Sequence, residues 1–301
     1  MKLKAWVNAA RLRTLPLSVS GIIVGYALAS LFGFTNSTIF IIALLTTVAL
    51  QVTSNFANDY GDGVKGTDNE TRIGPKRAYQ SGILTRKELK RGIIIAIVVS
   101  LALIVALILS AFSRDSLLYI AIFFVLGVLA VWASIKYTVG ESAYGYRGLG
   151  DVFVFIFFGL VSVLGCMFLL TSKLYAIAFL PAITVGLLSV AVLNLNNLRD
   201  IISDKNSGKN TIVVKMGFLN GKKYHYSILI VSFICALVFT LYSYTSYINF
   251  IWILAYIPIA KHFTRIVKMK DSLTMDPELK IVALSSFLFA ILFYFSFNIF
   301  L

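Results

Sequence analysis

Apolar residues come in runs of span length from residue 16 almost to residue 300, separated by polar segments. A run of about 20 residues at 1.5 Å per residue matches the hydrocarbon thickness of a bilayer. About nine such runs can be marked by this length criterion: 16–34, 38–57, 92–112, 117–135, 152–171, 174–193, 225–245, 247–265 and 281–300. A segment in lipid must satisfy its backbone polar groups within itself. The pattern therefore predicts an all-α integral membrane protein, a single bundle over residues 1–301. The polar connections alternate in length. Those at 58–91, 136–150, 194–224 and roughly 266–280 are long, and those between them are short.

Composition agrees: the chain is 59% hydrophobic and 13% charged, against about a quarter charged in soluble domains. The formal charge of +14 raises the question of nucleic acid, and its distribution answers it. Every Lys and Arg falls on the side of the long connections except Arg114 and Lys173. That asymmetry predicts a cytoplasmic N-terminus and cytoplasmic long connections, with the C-terminus outside. The charge is read as topology and contact with anionic lipid, not nucleic acid. Residues 1–13 form a basic amphipathic stretch without a small-residue cleavage site, so the first span is expected to be retained. Cys166 and Cys235 lie in different spans and are expected to be structural. His225 and His262 stand isolated at span ends and are expected to be interfacial.

Two polar clusters share one grammar. Asn58, Asp62 and Gly66 are spaced four apart, as are Asn196, Asp200 and Asp204. Such spacing puts residues on one helix face. Each cluster leads into Gly, Lys and Thr (Lys65-Gly66-Thr67; Gly208-Lys209-Asn210-Thr211), and the second cluster comes four spans after the first. Two related four-helix halves plus a ninth helix would explain this. Carboxylates at a membrane surface are costly unless they hold something. Mg²⁺ prefers a few carboxylates plus substrate phosphate oxygens to an all-protein cage, and the interleaved Lys and Arg suit the remaining phosphate charge. A solvated, salt-bridged loop is the plain alternative for either cluster alone; two matching clusters weaken it. The connection from Lys136 to Asp151 combines Tyr137, Tyr144, Tyr146 and Arg147 with glycines. Tyrosine faces can stabilise a carbocation, but an interfacial aromatic belt explains the same residues.

Asn58-Asp59-x-x-Asp62 followed by Arg77-Ala78-Tyr79-Gln80-Ser81-Gly82 resembles the membrane aromatic prenyltransferase (UbiA) superfamily, which includes 4-hydroxybenzoate polyprenyltransferase. Ala10-Arg11-Leu12-Arg13-Thr14-Leu15-Pro16, Lys65-Gly66-Thr67-Asp68, Gly74-Pro75-Lys76-Arg77-Ala78 and Tyr146-Arg147-Gly148-Leu149-Gly150 resemble its 1,4-dihydroxy-2-naphthoate polyprenyltransferase branch, in menaquinone synthesis. Asn196-Asn197-Leu198-Arg199-Asp200-x-x-x-Asp204-x-x-x-Gly208-Lys209 does so too. The similarity runs in order through nearly the whole chain. Many relatives carry a third aspartate where this chain has Gly66; the glycine version is similar to the naphthoate branch.

The resemblance implies transfer of a polyprenyl group from polyprenyl diphosphate to 1,4-dihydroxy-2-naphthoate with loss of CO₂, by ionisation to an allylic cation and attack by the ring. Its implied cofactor is Mg²⁺, held by Asn58, Asp62, Asn196, Asp200 and Asp204. Lys65, Arg72, Arg77, Arg199 and Lys209 are the expected diphosphate partners. Tyr137 and Tyr146 are expected to shield the cation, Asp59 and Asp68 to take part in catalysis, and Arg13 or Arg147 to hold the acceptor carboxylate. The implied setting is a bacterial inner membrane with the site on the cytoplasmic face. Within the superfamily, acceptors such as 4-hydroxybenzoate remain as alternatives. A transporter also fits intramembrane carboxylates and repeats, and a membrane phospho-alcohol transferase also uses aspartates at span ends. The acidic residues cluster at span ends and in an asparagine-led pair, which favours neither.

Overall fold

The computed structural model describes residues 2–67, 77–272 and 274–298. Asp68 and Arg72, with their neighbours Glu70 and Lys76, lie outside the described residues. Those described build an all-helical bundle, with no strand among them and nine helices long and apolar enough to cross a membrane. The helices in order are α1 (Lys2–Ala10), α2 (Leu15–Leu31), α3 (Ser37–Lys65), α4 (Arg86–Ala111), α5 (Leu117–Lys136), α6 (Gly150–Thr171), α7 (Ala176–Arg199), α8 (Ile201–Asn206), α9 (Ile212–Met216), α10 (Phe218–Tyr242), α11 (Tyr247–Lys268) and α12 (Asp276–Asn298); α1 and α2 together make the first of the nine, and the short α8 and α9 cross nothing. The basic stretch before the first expected span forms its own helix: Arg11 takes a left-handed conformation (φ 50°), so α1 is separated from α2 by a 3₁₀ turn at Leu12–Thr14.

Helix ends follow local chemistry. The Asn36 side chain accepts from the amides of Thr38 and Ile39 and starts α3. Thr85 and Glu88 form a reciprocal capping box that starts α4 six residues before the apolar run at 92. Gly66, in the left-handed region (φ 71°), ends α3. Helix α3 therefore runs past the end of its apolar run at 57 and carries the whole first motif on its last turns. Likewise α7 continues to Arg199, beyond the apolar run that ends at 193.

Two apolar cores flank a central cavity. The larger holds Val24, Leu28, Leu188, Leu195, Phe239, Trp252, Phe289 and Phe293, contributed by α2, α7, α10, α11 and α12. The smaller holds Ile39, Ile104, Ile108, Val131 and Leu169, from α3 to α6. Exposed Ile94, Ile95, Val98, Leu118 and Val125 on α4 and α5 suit a lipid-facing surface. Helix α6 carries ten π-helical residues, Phe155–Leu164. There Gly159 lies so close to α7 that an added Cβ would fall 2.6 Å from the Cα of Gly186. Side chains of this widened stretch (Phe157, Phe158, Val161 and Ser162) line the cavity, in keeping with the placing of π turns at functional sites.

Candidate active site

The cavity has a volume of about 760 Å³ and two chemically different ends. Its deep part is lined by Ile22, Leu50, Ile104, Leu107, Ile108, Phe123, Leu126 and Leu169. Its polar end is lined by Arg11, Arg13, Asn58, Asp62, Arg77, Tyr137, Asn196, Arg199, Asp200, Asp204 and Lys209. Five residues read as metal ligands in the sequence thus reach one cavity from elements almost 140 positions apart. Helix α3 supplies Asn58 and Asp62, α7 supplies Asn196, the junction after it Asp200, and α8 Asp204.

The connection between α5 and α6 joins the two motifs. Tyr146 donates its O–H to Asp62 Oδ1 at 2.8 Å and lies 2.6 Å from the hydroxyl of Thr67. Its backbone carbonyl accepts from the amide of Asn210, and Lys215 Nζ donates to the carbonyl of Arg147. Thr138 Oγ1 donates to Asn58 Oδ1 at 3.2 Å and packs against Gly61, where an added Cβ would meet it at 2.5 Å. Lys65 Nζ sits 3.8 Å above the Tyr146 ring. Tyr146 thus organises the first motif around Asp62 and is not itself part of the cavity wall.

Each carboxylate has a distinct environment. Asp59 faces away from the cavity, 1% exposed, and pairs with Arg11 Nη2 at 2.9 Å and Arg77 Nε at 3.6 Å. It holds these two arginines at the cavity wall. Asp200 accepts from Arg199 Nε at 2.8 Å and Nη2 at 2.6 Å, and Arg199 also donates to Asn196 Oδ1 at 2.8 Å. Arg199 therefore has much of its donor capacity committed to Asp200 and Asn196. Asp204 lies 3.3 Å from Lys209, and its Oδ2 is buried without a hydrogen-bond partner. Burial pushes the Asp204 carboxyl up to about 6, with Lys209 acting in the opposite direction. Burial also opposes the Lys209 ammonium, but the carboxylates of Asp204 and Asp62 hold its pKa above that of an ordinary lysine. Burial pushes the Tyr137 phenol up to about 12, so its ring faces the cavity as a neutral aromatic.

These donors fit Mg²⁺ by type. They are hard oxygens, one of them a buried carboxylate oxygen with nothing to accept from. Among the described residues no three acidic, His or Cys side chains assemble into a closed cage.

Of the other expected residues, Arg13 lines the cavity, whereas the Arg147 side chain is exposed and does not. Arg11, beside Asp59, is a basic residue of the wall that the string at 10–16 contains but spacing did not single out. Gln51 and Asn55, two turns and one turn before Asn58 on α3, bond each other and reach Ser18 at the start of α2 and Thr14 of the turn before it. Asp276, the partner of Arg199 at 2.6 Å, had no signal in the sequence. The two histidines expected to be isolated are buried together, Nε2 to Nε2 at 2.8 Å, because α10 and α11 bring their faces into contact. Cys166 and Cys235 are both free thiols, Cys166 buried.

The chain is 43% identical over 277 residues to the 1,4-dihydroxy-2-naphthoate octaprenyltransferase of Escherichia coli (strain K12), covering 92% of this chain and 89% of that one. It is 44% identical over 295 residues to the enzyme of the same name from Haemophilus influenzae, covering 97% and 95%. Among solved structures it resembles a UbiA homolog from Archaeoglobus fulgidus bound to GPP and Mg²⁺, with a TM-score of 0.67, 17% identity and coverage of 96% of this chain and 99% of that one. Residues 18–290 match the UbiA prenyltransferase family, and with these relatives they establish that the chain belongs to it.

Proposed function

We propose that this protein, acting as a single domain, transfers a polyprenyl group from polyprenyl diphosphate to 1,4-dihydroxy-2-naphthoate, releasing CO₂ and diphosphate and giving the polyprenyl naphthoquinol precursor of menaquinone. The observation that carries the reading is the convergence of Asn58, Asp62, Asn196, Asp200 and Asp204 at the polar end of one cavity whose other end is apolar. The names of the Escherichia coli and Haemophilus influenzae relatives support the choice of acceptor.

Asn58, Asp62, Asn196, Asp200 and Asp204 would hold Mg²⁺, which when bound neutralises charge on the diphosphate leaving group. Lys209 adds a fixed cation at the same end, with Lys65 close by. The apolar wall from Leu50 to Phe123 receives the isoprenoid tail. The C1–O bond of the allylic diphosphate breaks, and a bond forms from C1 to the ring carbon that bears the carboxylate. The bond to that carboxylate then breaks, and its electron pair restores the aromatic ring as CO₂ leaves. The neutral Tyr137 ring excludes water from the electrophilic carbon and offers it an aromatic face. Arg11, Arg13 and Arg77, two of them held by Asp59, are placed to grip the acceptor carboxylate. The protein acts as a multi-pass protein of a bacterial inner membrane, with its motif-bearing end in the cytoplasm. Membranes containing the protein are incubated with labelled polyprenyl diphosphate, Mg²⁺ and each candidate acid in turn. Product with dihydroxynaphthoate alone is expected; product with 4-hydroxybenzoate and none with dihydroxynaphthoate would overturn the acceptor.

A further inference from the structure

Arg199 donates to three side chains at the polar end of the cavity. It is 3% exposed and sits between two carboxylates. One is its neighbour Asp200, held by two donors at 2.8 and 2.6 Å. The other is Asp276, 77 residues away on the first turn of α12, bonded to Nη1 at 2.6 Å. The remaining contact runs from Nη2 to Asn196 Oδ1 at 2.8 Å, on the last turn of α7. A guanidinium is a rigid planar fork, so fixing one arm fixes the others.

Helix α12 is held in place from a second side. Two residues after Asp276, the buried Glu278 carboxylate accepts from Arg265 Nε at 2.6 Å and Nη2 at 3.0 Å. It also lies 2.6 Å from His262 Nδ1, and His262 meets His225. If His262 donates from Nδ1 to Glu278, its Nε2 accepts from the Nε2–H of His225, which gives the knot one consistent set of neutral tautomers. Glu278 thus ties the start of α12 to α10 and α11, while Asp276 reaches the opposite way to α7. Acidic residues in a first turn also suit the helix dipole, but that alone calls for neither long-range contact.

We propose that Asp276 is a positioning residue for the cation site. It holds the free arm of Arg199 so that the guanidinium presents Asp200 and Asn196 to the cavity in a fixed orientation. Without it, the Nη1 arm loses its anchor, and the orientation in which the fork holds Asp200 and Asn196 is no longer fixed from α12. The inference rests on the metal-bound diphosphate reading above.

The test uses the purified full-length protein in detergent, titrated with Mg²⁺ in the presence of inorganic pyrophosphate. The readout is the Mg²⁺ concentration at half-maximal rise in melting temperature, which needs no turnover. Asp276→Ala should raise this midpoint tenfold or more. Asp276→Asn keeps an oxygen acceptor at the same reach and should stay within threefold of the parent. Asp276→Leu, of similar size and unable to accept, substitutes for the alanine variant if that does not survive extraction. The KM for the acceptor acid should not move. An unshifted midpoint in the alanine or leucine variant overturns the proposal. So does an asparagine variant as impaired as alanine, since Asp276 would then act by its charge or as a ligand itself. A parent protein that does not respond to Mg²⁺ at all removes the metal reading, and this proposal with it.

Discussion

Asp62 and Asp200 carry similar sequence signals and sit in unlike surroundings. Asp62 takes one hydrogen bond from a tyrosine, whereas Asp200 is clasped on both oxygens by Arg199. Both are expected to be needed for ionisation of the diphosphate. Asp62→Asn and Asp200→Asn should each lower kcat/KM by orders of magnitude in Mg²⁺-supplemented membranes, since loss of one metal carboxylate removes several kcal/mol of transition-state stabilisation. Near-normal turnover in both would sink the ligand assignment. Tyr146→Phe removes a single hydrogen bond to a carboxylate, worth about 1.5 kcal/mol, so a loss of about tenfold is expected. That loss should appear in the KM for the diphosphate, because Tyr146 touches Asp62 and not the acceptor wall. Spacing made Tyr146 visible as a candidate but left open whether it faced a cation or a lipid headgroup; the hydrogen bond to Asp62 gives it a third place, holding that carboxylate.

Among the elements, the π-helical stretch of α6 and its crossing with α7 shape the cavity most directly. Gly159 faces the backbone of Gly186 and Ala182, with an added Cβ 2.6 and 2.7 Å from Gly186 Cα and Ala182 O. Backbone cannot swing aside as a side chain can. Gly159→Ala should therefore cost about 1–3 kcal/mol in overpacking and lower the melting temperature in detergent. An unchanged melting temperature would mean that the two helices separate more readily than this packing implies. Nothing in the string Phe153–Leu164 betrays a π segment, because it reads as an ordinary apolar run. The capping box at Thr85 and Glu88 was, by contrast, open to reading from its residues. The break at Arg11 was not, because a left-handed arginine has no sequence signature of its own.

At the scale of the whole molecule, the charge asymmetry predicts which end of the bundle faces the cytoplasm. Single cysteines placed at the exposed positions Ser142 and Ser113, in a Cys166→Ala, Cys235→Ala background, give a direct check. In right-side-out vesicles an impermeant maleimide should label position 113 and spare position 142; inverted vesicles should reverse this. Labelling of both positions from one side would overturn the topology and the cytoplasmic placement of the site.

Much of this protein was legible along the chain, because in lipid the length of an apolar run and the side on which cations lie are one-dimensional constraints. The two Asn-x-x-x-Asp motifs were legible for a related reason: helical periodicity makes a four-residue spacing a statement about one face. Folding added the contacts that join distant elements. The Asp59 pairing with Arg11 and Arg77, the Tyr146 bond to Asp62, the burial of His225 against His262 and the reach of Asp276 to Arg199 all link residues 18 or more positions apart. Such pairs depend on which helix faces meet and at what depth, and packing sets both through small residues such as Gly61, Gly159 and Gly186. No local pattern encodes that outcome, so the two motifs could be named from the sequence while the residues that hold them in place could not.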